Sequence, residues 1–264
     1  EDRLTVNRDH SEVMDINHAA GLHPVQVSAS TYNLIKLAVY ESKQNFGFNA
    51  LIGPVVKLWH IGFKGAHVPT DAQIKAKIGL TNPDDVVLDD ANQTVFLTKK
   101  GMELDLGGIA KGYIADRIRD LWRAYDVRAG IINLGGNVLF VNSSPKRASG
   151  EWILGVQDPK KKRGDNLTTA TVHECSAVTS GTYERFLEIN GKKYHHIIDP
   201  KTGYPVQTHV AGVTLFTRDS IQAEIECKRL FFAGGSIPGW KNDKDGRYGA
   251  IFVYDDDSIE RIGV

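Results

Sequence analysis

The chain has 264 residues, 41% hydrophobic and 24% charged, proportions ordinary for a globular protein able to bury a sizeable core. Lys and Arg number 32 and so do Asp and Glu, so net charge gives no argument for nucleic acid or an anionic membrane as partner. No stretch approaches the roughly 20 apolar residues that cross a bilayer, and the two cysteines, Cys175 and Cys227, permit one disulfide or none.

The chain opens Glu1-Asp2-Arg3 without Met, which predicts that any targeting segment was trimmed away. Ser11 as N-cap and Gly21 past the end bracket a first helix. Pro24 to Ser28 alternates like a short strand, and Thr31 to about Phe46 carries Leu34, Ile35, Ala38 and Val39 at helical spacing. Thr70 caps a short helix over Asp71 to Ile78, ended by Gly79. Two apolar runs, Val86 to Leu88 and Thr94 to Leu97, read as a hairpin across Asp89-Asp90-Ala91-Asn92. The clearest helix spans Ile109 to about Tyr125, with Ile109, Tyr113, Ile114, Ile118, Leu121 and Trp122 on one face.

Strands are predicted at Ala129 to Leu134, Val138 to Val141, Trp152 to Val156, Ala170 to Val172 and Leu187 to Ile189. The basic run Pro159 to Arg163 reads as a solvated loop. A helix from Ser220 to Phe232 and a last strand, Gly249 to Tyr254, complete the pattern. Interspersed helices with hairpin signals give an α+β class, read as one mixed domain over residues 1–264.

Five segments combine glycine with polar residues beyond what a packed core needs. They are Gly47-Phe48-Asn49-Ala50-Leu51-Ile52-Gly53-Pro54, Asp105-Leu106-Gly107-Gly108-Ile109-Ala110-Lys111-Gly112, Asn133-Leu134-Gly135-Gly136-Asn137, Thr179-Ser180-Gly181-Thr182-Tyr183-Glu184-Arg185, and Tyr194 to Pro205. In the second, a glycine turn opens the best helix, where free N–H groups and the positive dipole end suit a phosphate. Its spacing is neither a Walker A loop nor a dinucleotide fingerprint, and a plain tight turn remains open. Asp105 can hold a metal or a sugar hydroxyl there, and Lys111 can reach an anion. Adjacent glycines at Gly135-Gly136 allow close approach to a flat ligand or make a bulge. Asp199-Pro200-Lys201-Thr202-Gly203 is a turn by its chemistry. Neighbouring strand residues face opposite ways, so His195-His196 is a poor metal pair, while one of them can serve as a base or phosphate donor.

Together these segments resemble the ApbE flavin transferases, once described as thiamine-biosynthesis lipoproteins, over nearly the whole chain. The resemblance implies a mixed, T-fold-like architecture and an enzyme that uses FAD and Mg²⁺. Such enzymes move FMN onto a Thr or Ser hydroxyl of an acceptor flavoprotein and release AMP. It also implies an extracytoplasmic, lipid-anchored location at the bacterial membrane, a role in extracellular electron transfer, and opening strands that precede Glu1. Residue by residue, it sets Asn7, Phe48 and Asn49 against the flavin, with Asp105 and Lys111 on FAD. Gly135, Gly136 and Asn137 become pocket wall, Ser180 and Gly181 lie near the phosphates, and Ile198 near the cofactor. His196 becomes the group that assists proton transfer, with Asp105 the other residue assigned to catalysis, and Asp199 braces its turn.

The family's last long helix begins Ala-Asp-Ala-Leu-Ser-Thr, whose Asp and Thr bind the metal together with the Gly108 carbonyl. Here the matching stretch is Ala223-Glu224-Ile225-Glu226-Cys227-Lys228. Glu224 can still ligate with its longer arm. Lys228 either points away or takes the metal's place and neutralises phosphate itself. Two further readings stay open, an FAD pyrophosphatase releasing FMN and AMP, and a non-catalytic FAD-binding relative.

Overall fold

The computed structural model describes residues 2–240 and 246–264. In chain order its elements are α1 (Glu12–His18), β1 (Val25–Gln26), α2 (Ala29–Lys43), α3 (Gly53–Trp59), α4 (Asp71–Ile78), β2 (Val86–Asp89), β3 (Thr94–Leu97), α5 (Ala110–Ala124), β4 (Gly130–Asn133) and β5 (Asn137–Val141). There follow β6 (Trp152–Gln157), β7 (Asn166–Val172), β8 (Cys175–Gly181), β9 (Phe186–Ile189), β10 (Lys192–His195), β11 (Val210–Thr217), α6 (Ser220–Ala233), β12 (Arg247–Tyr254) and β13 (Ile259–Ile262). The chain forms two compact units, Glu1–Ala110 with Arg185–Val206, and Lys111–Glu184 with Gln207–Val264. Helices and wholly antiparallel strand pairs are interspersed, an α+β arrangement.

In the first unit, β1, β3 and β2 make a small sheet in that order, and β9 pairs with β10. Ser11 caps α1 by accepting the Met14 N–H at 2.9 Å. At α4 the capping box closes, with Thr70 accepting from Gln73 and the Gln73 side chain accepting from the Thr70 N–H. The predicted strand from Pro24 to Ser28 shrinks to two residues. Ser28 is drawn off to begin α2, its N–H and hydroxyl both donating to Glu12. The same helix stops at Lys43, short of Phe46, because Asn45 takes a left-handed φ of 58°. A core of Val55, Trp59, Ile61, Ile74 and Ile198 joins α3, α4 and the segment after β10. Trp59 is fully buried and donates its indole N–H to the Gly203 carbonyl at 2.7 Å, which fastens the 199–203 turn.

The second unit is built on a six-stranded sheet, β13-β12-β11-β8-β5-β4. Alternation along β5 serves both faces: Phe140 joins Trp152, Val156 and Val172 of the β6–β7 hairpin, while Leu139 and Val141 pack with Ala115 of α5. Central strand β11 is buried at every residue. Helix α6 lies along β8 and β11, with the Cys227 thiol on the Val213 and Val178 carbonyls at 3.4 and 3.6 Å. Both cysteines are free and buried.

Helix α5 turns inward only part of the face its apolar spacing predicts: Ile109 is buried and Ile118 and Trp122 pack against the Ala115 cluster, but the inward side extends to smaller and charged residues. Gly112, Ala115, Asp116 and Arg119 are the buried positions, whereas Leu121 is 55% exposed. Small and charged residues win because α5 and the start of α6 approach very closely. A Cβ on Gly112 would lie 2.5 Å from the Ser220 carbonyl oxygen. Asp116 then accepts the first N–H groups of α6, from Ser220 and Ile221, at 2.9 Å each. Arg119 supports that carboxylate at 3.3 Å and reaches Asp219 at 3.0 Å. Among the described residues no helix is long and apolar enough to cross a membrane.

Candidate functional site

The first unit carries the Phe48–Asn49 loop, the Asp105 turn and the histidine turn. Ser42, near the end of α2, accepts the Ala50 N–H at 2.9 Å, and Ala50 accepts the Asp105 N–H at 2.8 Å, so the loop and the Asp105 segment run side by side. Asn49 is spent locally: its amide donates to the Thr81 carbonyl and its oxygen accepts the Leu51 N–H. Phe48 is buried with its ring 6.5 Å from that of Phe46. Beside them lies an open cleft of about 410 Å³ whose lining includes Ser42, Lys43, Phe48, Asn49, Thr81 and Lys201. Asn7 is exposed, its backbone N–H on the Thr5 hydroxyl at 3.1 Å.

Asp105 accepts the Gly107 N–H at 2.8 Å, so one N–H of the glycine turn already has a carboxylate partner. Burial pushes the Asp105 carboxyl above the ordinary range, and the Gly107 bond and the Lys57 charge pull it back only in part. Gly108 is half-buried just before α5.

The two histidines take different partners, with β10 ending at His195 and His196 just past it. His195 places Nε2 on the Val206 carbonyl at 2.9 Å and accepts the Ile197 N–H at Nδ1. The His196 ring donates from Nδ1 to the Arg185 carbonyl at 3.1 Å. Asp199 accepts the Lys201 and Gly203 N–H groups through side chain and carbonyl, bracing the turn. Ile198 is 7% exposed and sits in the Trp59 core.

The second unit assembles the remaining candidates around Glu224. Asn137, at the head of β5 and fully buried, donates its amide to Glu224 Oε1 at 3.0 Å and accepts the Ser220 hydroxyl at 2.8 Å. Lys228, one turn along α6, donates to Glu224 Oε2 and to the Glu224 carbonyl, both at 3.0 Å. Lys111 stands 3.7 Å from Oε1 and donates to the Gly135 carbonyl at 3.3 Å. Burial raises the Glu224 carboxyl, but Lys228, Lys111 and the Asn137 amide together outweigh it and hold the group below the ordinary carboxylate range. Gly135 and Gly136 have φ of 67° and 84°, and a Cβ on Gly135 would meet nothing within 4 Å, so that turn borders open space. Ser180 and Gly181 end β8, opposite Val213 and Gly212 of β11. Gly181 is needed where it stands, because a Cβ there would press on the Tyr183 ring at 2.4 Å.

Asp116 and Ser220 escape a motif reading, yet they set the angle from which α6 presents Glu224 and Lys228. The available signals are the Asp116–Arg119 spacing on a helix and a Ser directly after Asp219.

Mg²⁺ takes oxygen ligands at about 2.1 Å in near-octahedral geometry. Both Glu224 oxygens already accept N–H donors, and an ammonium sits on each side. Among the described residues no group of three or more His, Cys, Asp or Glu is placed to hold a metal. The residues present do not fit a divalent cation at Glu224. Instead of ligating with a longer arm, Glu224 anchors two lysines, and Lys228 points toward it rather than away.

A profile of the ApbE family matches residues 1–252. The chain belongs to the ApbE family. An FAD:protein FMN transferase of Klebsiella pneumoniae (strain 342) is 48% identical over 235 residues, covering 89% of this chain and 72% of the relative. One of the same name from Treponema pallidum (strain Nichols) is 38% identical, covering 88% and 67%. The crystal structure of an ApbE protein from Thermotoga maritima superposes with a TM-score of 0.86 at 30% identity, over 98% of this chain and 84% of the other. The ApbE fold thus agrees with the α+β expectation, and the five glycine–polar segments lie in a chain of that family.

Proposed function

We propose that this ApbE-family chain is an FAD:protein FMN transferase. What carries the reading is its 48% identity, over 89% of its length, with the Klebsiella pneumoniae relative of that name. In the reaction, a Thr or Ser hydroxyl oxygen of an acceptor flavoprotein attacks the FMN-side phosphorus of FAD. The bond from that phosphorus to the bridging oxygen breaks, and AMP leaves with the bridging oxygen and its electron pair. The hydroxyl proton passes to Nε2 of His196, whose Nδ1–H is held by the Arg185 carbonyl. Phe48, in the lining of the cleft beside Asn49, is the aromatic group this reading sets against the flavin. Positioning and charge neutralisation carry most of a phosphoryl-type transfer. Lysine ammoniums are suited to the second task.

Mg²⁺ dependence does not enter this proposal, because the donor set at Glu224 does not suit the ion, and no step runs through it. Resemblance alone supports an extracytoplasmic, lipid-anchored location, which blotting of fractionated cells tests. AMP release from FAD that requires an acceptor with a Thr or Ser in its flavin motif is the expected behaviour. Equal release of FMN and AMP without any acceptor contradicts transfer and fits hydrolysis.

A further inference from the structure

We infer that Lys111 and Lys228, seated on buried Glu224, form a metal-free binding site for a phosphate or diphosphate ester. The inference deepens the transferase reading and rests on it only for the ligand's identity. Two ammoniums against one carboxylate leave one surplus positive charge, the same surplus that a divalent cation would leave on that carboxylate. The charge is therefore available without a metal, from groups covalently fixed to the chain.

Geometry favours this arrangement over a displaced metal site. The Glu224 side chain is 3% exposed, and Asn137 and Lys228 occupy its two oxygens at 3.0 Å each. Seating a divalent ion there would require breaking a buried, hydrogen-bonded ion pair and crowding two like charges against the ion, a large cost in a poorly solvated place. The lysines remain reachable from outside. The Lys111 side chain is 41% exposed and that of Lys228 18%. An ammonium has three N–H donors, and Lys228 directs two of them at Glu224. Beside Lys111 the Gly135–Gly136 turn adopts left-handed φ, and a Cβ on Gly135 would meet nothing within 4 Å, leaving room for a ligand against the backbone there. Asn137, hydrogen-bonded by Ser220, holds Glu224 still, so the pair is fixed before a ligand arrives.

Titration of the full chain with inorganic pyrophosphate in excess EDTA, followed by calorimetry, tests this directly, alongside a Mn²⁺ titration by EPR. The wild-type protein should bind pyrophosphate in EDTA and leave the Mn²⁺ signal unchanged. Lys111→Gln and Lys228→Gln should each weaken pyrophosphate binding at least about tenfold, the scale of one lost charge-assisted hydrogen bond. Lys228→Gln strands a buried carboxylate and can misfold, so the double variant Lys228→Gln/Glu224→Gln supplies a neutral pair and should show the same loss. Stoichiometric Mn²⁺ uptake by the wild type, absence of pyrophosphate binding in EDTA, or unchanged binding in both lysine variants overturns the inference. Acceptor flavinylation with Mn²⁺ bound would refute the lysine site and keep the transferase. Pyrophosphate binding with no flavinylation of any acceptor would do the reverse.

Discussion

The Asn137 amide donates to the Glu224 carboxylate at 3.0 Å, both groups being buried, while the same Asn137 accepts the Ser220 hydroxyl at the first residue of α6. One side chain thus ties the head of β5 to two points on α6. Asn137→Ala should leave Glu224 Oε1 and the Ser220 hydroxyl short of a buried partner and lower stability by about 1–3 kcal/mol. Urea denaturation checks this, and an unchanged midpoint would show that the tie carries no weight.

The approach of α5 to α6 at Gly112 allows no side chain. A Cβ would meet backbone atoms of Ser220 and Ile221 at 2.5 and 2.7 Å, and backbone cannot step aside as a side-chain tip can. Gly112→Ala is expected to cost about 1–3 kcal/mol by overpacking, although alanine is the better helix former. A stability gain would mean that the helices have room to separate.

Asp105 holds the glycine turn through the Gly107 N–H at 2.8 Å. Asp105→Ala should abolish transfer and weaken FAD binding at least about tenfold, read from flavin fluorescence. Asp105→Asn keeps an oxygen for that N–H, so it should retain more binding than Asp105→Ala. Full turnover in Asp105→Ala would remove this residue from the site.

Tyr32, Tyr183 and Tyr254 are each pushed up to about 12, first by burial and then by the neighbouring carboxylates Asp90, Glu184 and Glu260. The folded state holds these protons more tightly than the unfolded chain, whose phenols titrate near 10. Their stabilising contribution is therefore complete below about pH 10 and is lost as pH climbs through about 12. Thermal melts should fall steeply across that window and less steeply for Tyr254→Phe. A flat profile would contradict the assignment.

How far the sequence discloses this molecule depends on where local chemistry decides the outcome. Helix α4 is legible because its start is written into Thr70 and Gln73, which form the capping box. The β2–β3 hairpin is legible from its turn residues. Strand β11 is not, since Val210–Thr217 is covered throughout and shows no in–out alternation. The Thr179-Ser180-Gly181 cluster carries no strand signal of its own but closes β8, because pairing with β11 comes from residues some thirty positions away. Apolar spacing finds Ile118 and Trp122 on the inward side of α5 but misses Asp116 and Arg119, which are buried to cap α6. The motifs and the resemblance single out Asp105 in the first unit and Lys111, Asn137, Glu224 and Lys228 in the second. The lysine–carboxylate arrangement is visible only once α5, β5 and α6 are packed.

The intact mass of an acceptor flavoprotein, after incubation with this chain and FAD, tests the central claim most directly. The account predicts a gain equal to FMN less one water, absent when the acceptor's target Thr or Ser is replaced by Ala. An acceptor of unchanged mass, with FAD intact or hydrolysed to free FMN, would contradict it.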